Sequence, residues 1–137
     1  MRIILFTDSK EGIASFGTLG RSKTHSLEIH ERSELRRLLR ADVTDALLYL
    51  DISGMTLASV RSRVKILNES APSRFGIVDP ADLLKDPAEI FHKGGVDYIG
   101  KRGLSVQFSA ARLTRVLEAA RTGISQPLST MVGGTGI

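Results

Sequence analysis

Asp45-Ala46-Leu47-Leu48-Tyr49-Leu50-Asp51-Ile52-Ser53-Gly54-Met55 is the stretch on which the fold turns. An unbroken apolar run lies between two aspartates. It is too short for a buried helix and shows no alternation. It therefore reads as a strand covered on both faces, the kind that parallel sheets contain. Ser53-Gly54 supplies a turn. From Thr56 to Asn68 the apolar period changes to that of a helix, with Leu57, Val60, Val64 and Leu67 on one face. Strand, terminal carboxylate, turn and helix together make half of a βαβ unit.

Outward from this stretch the same unit recurs. Upstream, Arg2 to Phe6 is a short apolar strand that ends at Thr7-Asp8-Ser9. Downstream, Arg74 to Val78 is another, stopped at Asp79-Pro80 because proline cannot continue a central strand. Asp86 then caps a helix over 87–93, with Pro87 at its first position and Gly94-Gly95 at its close. Val96 to Ile99 is the last strand and runs into Gly100-Lys101. Ser26 to His30 alternates apolar and polar, as a half-exposed strand does. Behind it Ser33 is placed to cap a helix that turns Leu35, Leu38 and Leu39 inward.

Residues 9–23 are broken by Gly12, Gly17 and Gly20, so only a short or irregular helix is expected there. Val106 to Arg121 reads as the closing amphipathic helix, with Phe108, Leu113, Val116 and Leu117 inward. Residues 122–137 lose all periodicity. The expected organisation is one domain over 1–121 and a flexible linker or tail over 122–137. The tail would lead to an absent output domain, as in a piece of a longer protein.

Alternating strands and helices predict an α/β fold, a doubly wound parallel sheet with helices on both faces. In such sheets function sits beyond the carboxyl ends of the strands. Asp8, Asp51, Asp79 and Lys101 each follow or end a different strand. They are therefore expected along one edge of the sheet.

Composition narrows the chemistry. The chain has 137 residues, enough for one core without staples. It has no cysteine, which removes disulfides, thiolate metal sites and cysteine nucleophiles. His25, His30 and His92 lack metal-ligand spacing and read as surface or edge residues. No Ser-His-Asp set can be assembled. Gly133-Gly134-Thr135-Gly136 lacks the lysine and helix of a phosphate loop. No signal peptide precedes the first strand, and the expectation is a cytoplasmic protein that does not enter the membrane. The net charge is +4 and the pI about 9.8, which favours anionic partners. The arginines are spread over helical segments (Arg32, Arg36, Arg37, Arg40, Arg61, Arg63, Arg112, Arg115 and Arg121), as on solvated helix faces. With 5% aromatics and no aromatic-basic interleaving, nucleic acid is not the expected partner.

The chain resembles a response-regulator receiver domain of two-component signal transduction over about residues 2–121. Tyr49-Leu50-Asp51-Ile52-Ser53-Gly54-Met55 is similar to the segment that holds the phospho-accepting aspartate. Lys93 to Lys101 is similar to the stretch that ends in the family's lysine. The resemblance implies a flavodoxin-like five-stranded sheet in the order 2-1-3-4-5. It implies Asp51 as phosphoacceptor, Lys101 as its cationic partner and Tyr98 as the switch aromatic. It also implies Mg²⁺ held by Asp8 and Asp51 through oxygen ligands, offsetting charge during phosphoryl transfer.

Three positions depart from the pattern. Thr7 stands where a second acid belongs. Asp79 stands in place of a Ser or Thr that would bond the phosphoryl group. Arg102 replaces a proline. A missing acid weakens the Mg²⁺ site, and a carboxylate at 79 repels a phosphoryl group. Asp79 could instead be a displaced metal ligand, or pair with Lys101 or Arg102. The expected role is that of a degenerate, pseudo-receiver regulatory module and not an enzyme. It would control an attached output domain or a partner protein through the face that includes Phe91, Tyr98, Arg102, Arg112 and Arg115. A histidine kinase and a second copy of the chain are further partners in view. The alternatives are a working Mg²⁺-dependent phosphorelay receiver using Asp51, and a flavodoxin-like binder of a small ligand in the same crevice.

Overall fold

The structure is a computed structural model that describes residues 2–9, 16, 26–41, 45–72, 74–101, 115, 116 and 118. The apolar runs form strands β1 (Arg2–Phe6), β2 (Ser26–His30), β3 (Ala46–Asp51), β4 (Phe75–Asp79) and β5 (Asp97–Gly100). Between them lie helices α1 (Leu35–Arg40), α2 (Leu57–Ser70) and α3 (Ala88–His92). All strand pairs are parallel, in the order β2-β1-β3-β4-β5. This is the flavodoxin-like doubly wound sheet. The continuous apolar strands lie at its centre, and the alternating one, β2, lies at an edge, where its alternation does not turn the apolar residues inward: Ile29 is 42% exposed while Glu28 and His30 are half-buried.

Strand alternation divides the core. Ile4, Phe6, Leu48, Leu50, Phe75 and Ile77 face one way, onto Leu35 and Leu38 of α1, Val60, Val64 and Leu67 of α2 and Ile90 of α3. Ile3, Leu5, Leu47, Tyr49, Val78 and Ile99 face the other, onto Phe16 and Val116. Each fully buried aliphatic side chain contributes about 1.5–3 kcal/mol relative to an exposed one. Both layers are therefore needed to hold the sheet.

On the second face one row crosses three strands. Tyr49 pairs with Gly76 in register, and Gly76 with Asp97. The Tyr49 hydroxyl donates to Asp97 Oδ2 at 2.7 Å. The ring reaches over β4 because Gly76 has no side chain; a Cβ there would stand 2.6 Å from Tyr49 Cε1.

Several expected details shift. Ser33 does not cap α1. A 3₁₀ turn over Arg32–Glu34 comes first, and Glu34 takes the cap position without a side-chain bond. The backbone N–H of Arg32 is drawn to Asp8, so the chain tightens there before the helix begins. Leu57 is 43% exposed and not inward, because it opens α2 at the carboxyl edge of the sheet. Thr56 caps α2 by accepting from Ser59 N; α3 begins at Ala88 with Pro87 in the cap position, one residue later than expected, and Asp86 accepts from Ala88 N just ahead of it. Gly94 closes α3 at φ +93°, a left-handed turn that glycine takes without strain. The inward positions Phe108, Leu113 and Leu117 lie outside the described residues, as do residues 9–23 save Ser9 and Phe16, and the tail over 122–137. Among the described residues no helix is long and apolar enough to cross a membrane.

Candidate functional site at the carboxyl edge

Parallel strands in this register bring their carboxyl ends to one edge. Asp51 and Asp79 end β3 and β4, while Asp8 and Lys101 follow β1 and β5. The four residues singled out from sequence thus share an edge, but they are not equivalent there.

Asp51 has no solvent exposure. Its Oδ2 accepts a 2.6 Å hydrogen bond from the Thr7 hydroxyl, and its Oδ1 accepts from Ser53 N at 2.9 Å. Thr7 is itself buried and accepts from Ser9 N. Where a second acid would repel Asp51, this threonine donates to it.

Asp79 is equally inaccessible. Oδ1 accepts from Leu83 N at 2.8 Å, and Oδ2 accepts from Leu84 N at 2.9 Å and the Tyr98 hydroxyl at 2.6 Å. Among the described residues these groups are its partners, and Lys101 is not one of them; the alternative pairing with Arg102 lies outside the described residues. Burial, then the bond to Asp79 and the negative charges of Asp79 and Asp82, push the Tyr98 phenol well above its ordinary value. The phenol therefore stays a donor. Asp82 completes this half: at φ +50° it turns the loop after β4, and its Oδ1 accepts from Lys101 N at 2.8 Å. Short acidic residues tolerate that conformation better than most.

Lys101 is exposed, and among the described residues its ammonium makes no ion pair. The cation that does reach the acids is Arg32, which the sequence reading had placed with the solvated arginines. Its Nε donates to Asp8 Oδ2 at 3.1 Å, and its backbone N–H to Asp8 Oδ1 at 3.1 Å. Its Nη1 donates to the carbonyls of Asp51 at 3.0 Å and Ser53 at 2.6 Å. The backbone bond first, and then the guanidinium's bond and charge, hold the Asp8 carboxyl below its ordinary value, although partial burial works against them. A signal was present in the sequence: Arg32 follows β2 just as Asp8 follows β1, so the strand-end rule places both at the same edge.

A divalent ion does not fit this arrangement. Both Asp8 oxygens point to Arg32, and both Asp51 oxygens accept from neutral donors. Among the described residues no three His, Cys, Asp or Glu side chains gather to hold a metal.

Of the contact face expected from sequence, Phe91 is buried and serves the core, Tyr98 is half-buried, and Arg115 is exposed; Arg102 and Arg112 lie outside the described residues. Elsewhere α2 and α3 border an open groove lined by Arg61, Lys65, Asn68 and Lys93. Arg61 and Lys93 share the one carboxylate of Glu89, which leaves an excess of positive charge.

The five parallel strands in the order β2-β1-β3-β4-β5 define a flavodoxin-like α/β domain. Neither protein-family models nor curated protein sequences yield a match to the chain.

Proposed function

We propose that this domain is a receiver-like regulatory module that acts through protein–protein contacts and does not carry phosphoryl groups on Asp51. The observation that carries the reading is the state of Asp51. A nucleophilic oxygen has to come within about 3–3.5 Å of phosphorus, in line with the leaving group. A carboxylate with no exposed surface, one oxygen on a hydroxyl and the other on a backbone N–H, offers no such approach. Asp79 supports the same reading. Its side chain stands where a phosphoryl-binding hydroxyl would be needed, and three hydrogen bonds hold it in place. The cationic groove between α2 and α3 favours an acidic protein surface as the contact.

Incubation with acetyl phosphate and Mg²⁺, followed by intact mass before and after hydroxylamine, tests the proposal. The expected result is no phosphoadduct on the wild-type chain. Stoichiometric, hydroxylamine-sensitive modification lost in Asp51→Asn would establish a working receiver instead.

A further inference from the structure

We propose that the Arg32 guanidinium is the built-in cation of the strand-end crevice, holding the oxygens a divalent ion would need and keeping such an ion out. The inference stands on the geometry of Arg32 and not on the regulatory reading above.

Hard divalent cations are held by carboxylate, carbonyl and water oxygens that converge on one point. The crevice contains such a set: the Asp8 carboxylate beyond β1 and the carbonyls of Asp51 and Ser53 beyond β3. All of them converge on one guanidinium, with donor–acceptor distances of 2.6–3.1 Å. A planar, permanently charged fork suits this role, since it can serve a carboxylate and two carbonyls together. A lysine ammonium is a more strongly hydrated point charge.

Arg32 is also fixed at both ends. Its backbone N–H bonds Asp8 Oδ1, so the carboxylate cannot swing away without losing two bonds, and its side chain is 23% exposed. A divalent ion entering here would meet a positive charge at contact range and would find its strongest ligand already engaged. The result is a crevice whose β1, β2 and β3 ends are tied together by the chain itself. Its order therefore needs no metal.

The test titrates Mn²⁺ into the full chain without any phosphodonor and follows the free-ion EPR signal, so the result bears on Arg32 and not on chemistry at Asp51. Wild type should leave the signal undiminished at millimolar Mn²⁺. Arg32→Met, which keeps bulk and removes charge, should bind at least about tenfold more tightly, in the millimolar-to-submillimolar range of sparse oxygen sites. Adding Asp8→Asn should abolish that binding. In Arg32→Ala, methylguanidinium at millimolar concentration should displace Mn²⁺ and raise the melting temperature.

Wild type that binds as tightly as Arg32→Met overturns the proposal. So does an Arg32→Met chain that folds but binds nothing, because the oxygens would then be no cation site and Arg32 only a clamp. If the variants do not fold, the wild-type Arg32 Nε–H resonance decides. It should be unmoved by about 20 mM Mg²⁺, a concentration well above the range of such sites. Its shift or loss beyond that seen with NaCl at matched ionic strength would refute the exclusion.

Discussion

At the β1–β3 half of the carboxyl edge the acids meet a guanidinium and a hydroxyl; at the β4–β5 half Asp79 meets, among the described residues, backbone N–H groups and a phenol. In the first half the charged partners, Asp8 and Arg32, are partly exposed, and the buried carboxylate, Asp51, is bonded by one donor per oxygen. In the second a fully buried carboxylate has three neutral donors, two of them from its own loop. Burying a carboxyl group is costly unless its lone pairs are used. The contrast teaches that the loop after β4 is built around Asp79, whereas the loops after β1 and β3 are tied by Arg32 from outside.

The sharpest way to break this comparison is to remove each buried carboxyl group in turn. Asp79→Ala leaves the Leu83 and Leu84 N–H groups and the Tyr98 hydroxyl without their acceptor. At about 1–3 kcal/mol for each buried unsatisfied group, partly relieved by water, a loss of about 3 kcal/mol is expected. Asp51→Ala strands Ser53 N and leaves the Thr7 hydroxyl only the Ser9 carbonyl at 3.2 Å, and about 2 kcal/mol is expected. Urea unfolding of both variants measures the difference, and a larger loss for Asp51→Ala would reverse the ranking of the two halves.

A smaller effect is expected for Tyr98→Phe, about 1–2 kcal/mol for one hydrogen bond to a carboxylate. Its pH dependence sharpens the picture. The folded phenol's value is raised above 10.0, so its proton is held more firmly in the folded chain than in the unfolded one. The contribution is complete below pH 10 and is lost as pH rises above that value toward the folded one. The gap between wild type and Tyr98→Phe, followed by unfolding midpoints, should narrow only above pH 10. Narrowing near neutrality would mean that the phenol is not the donor.

The smallest effect belongs to Asp8, because it is half-exposed and screened by salt. Its folded value lies below the ordinary 3.8, so its contribution is present above about pH 3.8 and fades as pH falls through the folded value. Unfolding midpoints of wild type and Asp8→Asn should differ slightly at pH 6, and the gap should shrink as pH falls below 3.8. A gap that stays undiminished throughout the acid limb would show that charge is not what Asp8 supplies to the Arg32 clamp.

Much of the architecture was legible in the residues. Buried strands such as Ile3–Phe6 and Ala46–Leu50 announce themselves, because a strand covered on both faces leaves no room for polar residues. The edge strand was legible from its alternation, but its facing was not: Ile29 matches an inward position and is 42% exposed. Carboxylates at strand ends located the edge where Asp8, Asp51 and Asp79 stand. Less legible were residues whose place depends on a partner far along the chain. Leu57 matches the inward period of α2, yet lies at the margin of the sheet. Phe91 looked like a contact residue and packs inside. Ser33 has the chemistry of a cap, but Arg32 is drawn to Asp8, 24 residues earlier, and the first turn tightens accordingly.

The amino-acid sequence by itself determined the parallel α/β character, the strand positions and the set of acids at the carboxyl edge. These follow from local periodicity and from the rule that parallel strands end together. Only the tertiary structure decided the partners of those acids. Asp79 serves its own loop and Tyr98, Lys101 offers its backbone and leaves its ammonium in solvent, and Arg32 supplies the cation at Asp8. The physical reason is that a hydrogen bond is set by direction within a few tenths of an ångström. A strand-end residue's position along the chain gives its edge but not the direction of its side chain.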